Sequence, residues 1–107
     1  MADARIQVPP QVRRGASFEV KIAIRHAMET GYRVDDMGKP ITRNVIRELV
    51  CKYNGEQALR VDMSSGFAAN PFLQFYLVAR DSGELSFEWV DDAGVRGSER
   101  AAINVTG

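Results

Sequence analysis

The sequence has one cysteine, Cys51, and one histidine, His26, in 107 residues. A lone cysteine excludes an internal disulfide, and Cys51 with His26 cannot complete a tetrahedral zinc site of the usual kind. Neither sign of charge is in excess, since fourteen Lys and Arg balance fourteen Asp and Glu. That balance argues against a polybasic nucleic-acid binder and against a basic membrane anchor. No apolar run approaches the ~18 residues needed to span a bilayer. The longest uncharged one is Phe75-Tyr76-Leu77-Val78-Ala79. The opening residues, Met1-Ala2-Asp3-Ala4-Arg5, lack the charged-then-apolar order of a secretory signal. Glycine-rich phosphate cradles and Gly-x-Ser-x-Gly are absent as well.

What is present is alternation. The chain has the size of one domain, residues 1–107. Phe18, Val20, Ile22 and Ile24 alternate with Glu19, Lys21, Ala23 and Arg25. Four apolar positions at period two predict a half-buried strand, because a helix would scatter them around its axis. Ile6 and Val8 form a shorter edge strand ended by Pro9-Pro10. Residues 45–53 and 56–62 flank Asn54-Gly55, the strongest short hairpin signal. A two-residue loop there pairs Tyr53 with Glu56 and Cys51 with Ala58. In residues 71–79, Phe72, Gln74, Tyr76 and Val78 share one face, and Leu73, Phe75, Leu77 and Ala79 the other. Both faces are largely apolar, so this strand is expected to be covered on both sides. Leu85, Phe87 and Trp89 mark another strand, and Ala101, Ile103 and Val105 close the chain. The pattern predicts an all-β fold, an immunoglobulin-like antiparallel β-sandwich of about seven strands. Residues 26–44 and 64–70 break the rhythm and read as irregular loops. Long loops in compact domains are often functional.

Residues able to carry chemistry are few. His26 reads as a polar strand-end residue, with no second histidine to build a site. Cys51 shares a face with Leu49 and Tyr53, while Lys52 points away, so it reads as a small buried apolar group. Ser17, Ser64, Ser65 and Ser82 have one histidine between them as a base. Asp91-Asp92 reads as a solvated turn rather than a calcium site. The 26–44 loop is richer. Arg33, Asp35, Asp36, Lys39 and Arg43 stand beside Met28, Tyr32, Met37 and Ile41, a mixture typical of an interface. A binding module is therefore favoured over an enzyme. The rival reading is a small redox or sulfur-transfer protein that uses Cys51 directly.

Several segments carry a family resemblance. They are His26-Ala27-Met28-Glu29-Thr30-Gly31-Tyr32-Arg33, Gly38-Lys39-Pro40-Ile41 and Cys51-Lys52-Tyr53-Asn54-Gly55. Ala68-Ala69-Asn70-Pro71-Phe72-Leu73 and Trp89-Val90-Asp91-Asp92 extend them toward the C-terminus. In this order and spacing the segments resemble the SoxZ family across nearly the whole chain. The chain departs from the family's usual proline at Ala27 and at Thr42.

The resemblance implies a non-catalytic subunit of the SoxYZ carrier of thiosulfate and sulfur oxidation. Its partner SoxY bears sulfur intermediates on a cysteine in a flexible Gly-Gly-Cys-Gly-Gly tail. The end of this chain, Asn104-Val105-Thr106-Gly107, has no such cysteine. It implies a heterodimer with SoxY, access of other Sox enzymes through that complex, and export to the periplasm together with SoxY. No cofactor, metal, nucleic acid or membrane is expected, and self-association of the isolated chain stays open. The residues expected to bind the partner are Met28, Tyr32, Arg33, Ile41, Arg43, Phe72 and Phe75.

Overall fold

The computed structural model of the chain describes residues 4–63 and 69–107. Ser64, Ser65 and most of the expected second loop lie outside the described residues. The strands are β1 (Ala4–Gln7), β2 (Val12–Arg13), β3 (Ser17–Ile24), β4 (Ile46–Tyr53), β5 (Glu56–Asp62), β6 (Phe72–Val78), β7 (Gly83–Asp91), β8 (Arg96–Ile103) and β9 (Val105–Thr106). No helix occurs among the described residues. One sheet has the order β1-β3-β6, the other β5-β4-β7-β8. Every neighbour pair in these sheets is antiparallel. A small parallel pair, β2 with β9, joins the two ends of the chain. The expected all-β sandwich is there. Nine strands rather than about seven are found among the described residues, because β2 and β9 are two residues each, too short for a period to show.

The core is the space between the inward faces. Val20, Ile22 and Ile24 of β3 are buried with Leu49, Cys51 and Tyr53 of β4 and Leu85, Phe87 and Trp89 of β7. Each large apolar side chain removed from water contributes about 1.5–3 kcal/mol. Phe75 reaches across from β6 to Phe87, edge to face, with ring centroids 6.2 Å apart. Trp89 lies over Gly97 of β8, where a Cβ would come within 2.3 Å of the indole. The Tyr53 hydroxyl donates to the Asp81 carbonyl at 2.6 Å and accepts the Arg80 N–H at 3.1 Å, closing one end of the sandwich.

Strict alternation fails at two places, for one reason. The Asn54-Gly55 turn forms as expected, with φ of 50° and 85° and Tyr53 opposite Glu56. Cys51, however, pairs with Leu59, not with Ala58. The unmatched Ala58 is a bulge. An unbroken register would turn Arg60 and Asp62 toward the core; the bulge turns Leu59 and Val61 there instead. Between β4 and β7 the register slips at Arg47. Val45 and Ile46 are then both fully buried, and Arg47 escapes to the surface.

Candidate functional site

Residues 26–44 are not an irregular loop. They fold double into an arm with its own ladder. The Glu29 N–H donates to the Asn44 carbonyl at 2.9 Å, and the Asn44 N–H returns the bond at 2.8 Å. Farther out, the Ile41 N–H donates to Arg33 O at 2.9 Å and the Asp35 N–H to Lys39 O at 2.8 Å. Asp35 closes the tip, its carboxylate accepting the N–H groups of Met37 and Lys39. Gly31 lets the limbs approach: at φ 91°, an added Cβ would lie 3.1 Å from that of Arg43. The period of the sequence hides this hairpin because turns and glycines interrupt both limbs. The protein measures 60 × 25 × 19 Å. A nine-residue strand spans only ~30 Å, so the long axis requires a projection of this sort.

The arm is fixed at its root. His26 Nδ1 accepts the Met28 N–H at 2.9 Å, so Nε2 carries the proton and faces Asp91 Oδ2 at 3.1 Å. Asp91 also accepts from the Val95 N–H at 2.9 Å and from Asn44 Nδ2 at 3.4 Å. Burial works to raise the Asp91 pKa, but these hydrogen bonds outweigh it and hold the carboxyl below the ordinary value. Asp92 accepts the Val45 N–H at 3.1 Å and faces Arg43 at 3.6 Å and Arg47 at 3.8 Å. The expected solvated turn is thus a buried anchor, with Asp91 only 5% exposed. Sequence spacing could not show this, because most of the partners come from two distant segments, at His26 and at residues 43–47. Among the described residues no cluster of His, Cys, Asp and Glu could hold a metal ion.

The seven residues expected to bind a partner divide. Met28 is buried, its sulfur accepting the Ile46 N–H at 3.4 Å, and it pins the arm to the core. Phe75 faces inward, against Phe87. These two are packing residues. Tyr32 is 90% exposed on the arm. Arg33 forks onto Glu29 at 2.7 and 3.0 Å and holds that carboxyl below its ordinary range. Ile41 is half-buried, and Arg43 is exposed beside Asp92. Phe72 is exposed on β6.

Covering of β6 on both faces is not what the structure shows. Leu73, Phe75 and Leu77 face the core, while Phe72, Tyr76 and Val78 stand in solvent at 55%, 63% and 55% exposure. Val34 and Met37 add to Tyr32 on the arm in the same way. The alternation of β6 had displayed Tyr76 and Val78 beside Phe72, so the signal for them was present. Cys51 lies at the opposite extreme. Burial leaves it 1% exposed and pushes its thiol up to about 12, out of reach of thiolate chemistry at neutral pH.

A family profile described as "Sulphur oxidation protein SoxZ" matches residues 6–102. No curated protein sequence matches the chain significantly. Among solved structures, a superoxide reductase (neelaredoxin) from Ignicoccus hospitalis is similar, with a TM-score of 0.71 at 22% identity over 96% of this chain and 80% of that one. The sulfur carrier protein SoxY from Chlorobium limicola f thiosulfatophilum is also similar, with a TM-score of 0.68 at 11% identity over 100% of this chain and 82% of that one. At such identities the likeness is one of fold.

Proposed function

The chain belongs to the SoxZ family of sulphur oxidation proteins, and from that premise we propose that it is the subunit that binds SoxY in the SoxYZ carrier. Sulfur intermediates would ride on the cysteine of the SoxY tail, and this chain would supply a rigid body that holds SoxY in a form other Sox enzymes can reach. One observation carries the reading: large apolar side chains stand in solvent on the arm and on β6 while the only thiol is sealed in the core. Exposed apolar patches rimmed by polar groups mark protein interfaces. Tyr32, Ile41 and Phe72 would supply apolar contact, and Arg33 and Arg43 orientation. The complex would form before export and work in the periplasm.

Native mass spectrometry of the tagged chain, purified from the periplasm of its host grown on thiosulfate, tests this. The expected species is a one-to-one complex with a partner that ends in a cysteine-bearing, glycine-rich tail. A lone chain with a sulfur adduct on Cys51 would reject the reading in favour of a thiol carrier. A Cys51→Ala variant is expected to support thiosulfate oxidation as well as the wild type does.

A further inference from the structure

Among the described residues the two large sheets have four edges: β1, β6, β5 and β8. Three carry the devices that keep edges from pairing with other chains. β1 is four residues long, contains Arg5 and runs into Pro9-Pro10. β5 carries Glu56, Arg60 and Asp62 and the bulge at Ala58. β8 carries Arg96, Glu99 and Arg100. Along its own length β6 has none of these, Pro71 standing just before it. Its seven residues, Phe-Leu-Gln-Phe-Tyr-Leu-Val, hold no charge and no proline, and its register with β3 is unbroken.

The ladder shows which backbone groups this edge leaves open. At its two ends the Ile24 N–H donates to Pro71 O and the Ala79 N–H to Ala16 O. Antiparallel bonds alternate along a strand. Leu73, Phe75 and Leu77 therefore exchange bonds with Ile22, Val20 and Phe18. The N–H and C=O groups of Phe72, Gln74, Tyr76 and Val78 point away from β3, where no described strand pairs with them. These four residues also carry the outward side chains, three of them large and apolar. Backbone and side chains thus present one seam.

Resting on the SoxY-binding reading above, we infer that SoxY docks by adding an uncharged extended segment along β6 as a fourth strand of the β1-β3-β6 sheet. Main-chain bonds supply a continuous seam, and side chains of the added strand pack on Phe72, Tyr76 and Val78. An uncharged guest matches an uncharged edge, since a lone charge there would be desolvated without a partner. The solved SoxY shares the sandwich fold, so such a partner has sheet edges of its own to offer.

Hydrogen exchange of the chain, alone and with its host's SoxY, tests the docking mode. The amides of Phe72, Gln74, Tyr76 and Val78 are expected to slow at least tenfold in the complex, with those on the outer edges of β5 and β8 unchanged. Gln74→Pro removes one open-edge backbone N–H and no backbone bond to β3, losing only the exposed side-chain bond to Glu19. It is expected to weaken the complex at least tenfold with only a small change in melting temperature. If that variant does not fold, exchange in the wild type decides alone. A full-strength complex with the four amides exchanging as in the free chain would overturn edge docking and leave SoxY binding standing. No complex at all would overturn both. Slowed exchange in the chain alone, with a doubled mass, would give the edge to a second copy and overturn the proposal.

Discussion

Strands β3 and β6 lie side by side, paired from Ser17–Val78 to Ala23–Phe72. Their inward faces are alike and their outward faces are not. Outside, β3 shows Ser17, Glu19, Lys21 and Ala23, with an ion pair of 3.3 Å between Lys21 and Glu19. One strand over, β6 shows Phe72, Gln74, Tyr76 and Val78. The polar face is complete in water. The apolar face leaves Phe72, Tyr76 and Val78 largely in water. Two neighbouring strands of one sheet thus separate what folding needs from what the proposed association would use.

Substitutions can sharpen that contrast or break it. The largest effect is expected inside. Ile22→Ala on β3 empties a fully buried site and should cost ~2–5 kcal/mol in a urea melt. Next comes the root of the arm. Asp91→Ala strands donors from His26, Asn44 and Val95 and should cost ~1–3 kcal/mol. The depressed Asp91 pKa also sets a pH dependence. The carboxylate contributes stability above its unfolded value near 3.8, and the contribution is lost as pH falls through the lower folded value. Melts of the wild type and Asp91→Asn should therefore converge as the solution is acidified below that value.

Outward changes on β6 are expected to do far less to the isolated chain. Tyr76→Ser should alter its stability by under ~0.5 kcal/mol, as exposed sites usually do, while weakening the proposed complex with SoxY. A loss of stability as large as that of Ile22→Ala would erase the distinction between the two faces. Smaller still is an effect across the pair. The Glu19 carboxylate accepts from Tyr76 Oη at 3.1 Å and from Gln74 Nε2. Partial desolvation works to raise its pKa, but bonds from Lys21, Tyr76 and Gln74 hold it below the ordinary value. In an NMR titration, Tyr76→Phe should move it back up. The smallest expected signal is none: Cys51 should resist alkylation at pH 8 until the chain is unfolded.

Much of the fold was legible because burial on one side of a sheet writes period two into the chain. That holds for β3 and β7, whose burial alternates as their residues do. It fails where a bulge shifts parity, at Arg47 and Ala58, because a bulge shows only as a misfit between segments. The arm escaped notice because its ladder is made of backbone bonds, indifferent to side-chain polarity. Composition singled out candidate contact residues and not the direction in which they point. Met28 and Phe72 are both large and apolar; only the third dimension shows that one pins the arm and the other faces water.

The bulge at Ala58 has one more consequence. The turn at Asn54-Gly55 sets one reading frame for the hairpin, and Leu59 and Val61 need the other. Ala58 is the inserted letter that reconciles them. Deleting it would leave Gln57 opposite Lys52 and bring Leu59 opposite Cys51 in a regular ladder, every side chain keeping its side. A strand interior is ordinarily the worst place to shorten a protein. Here it holds a position where the chain can lose a residue and keep its meaning, whereas loss of Arg60, two letters on, would scramble it.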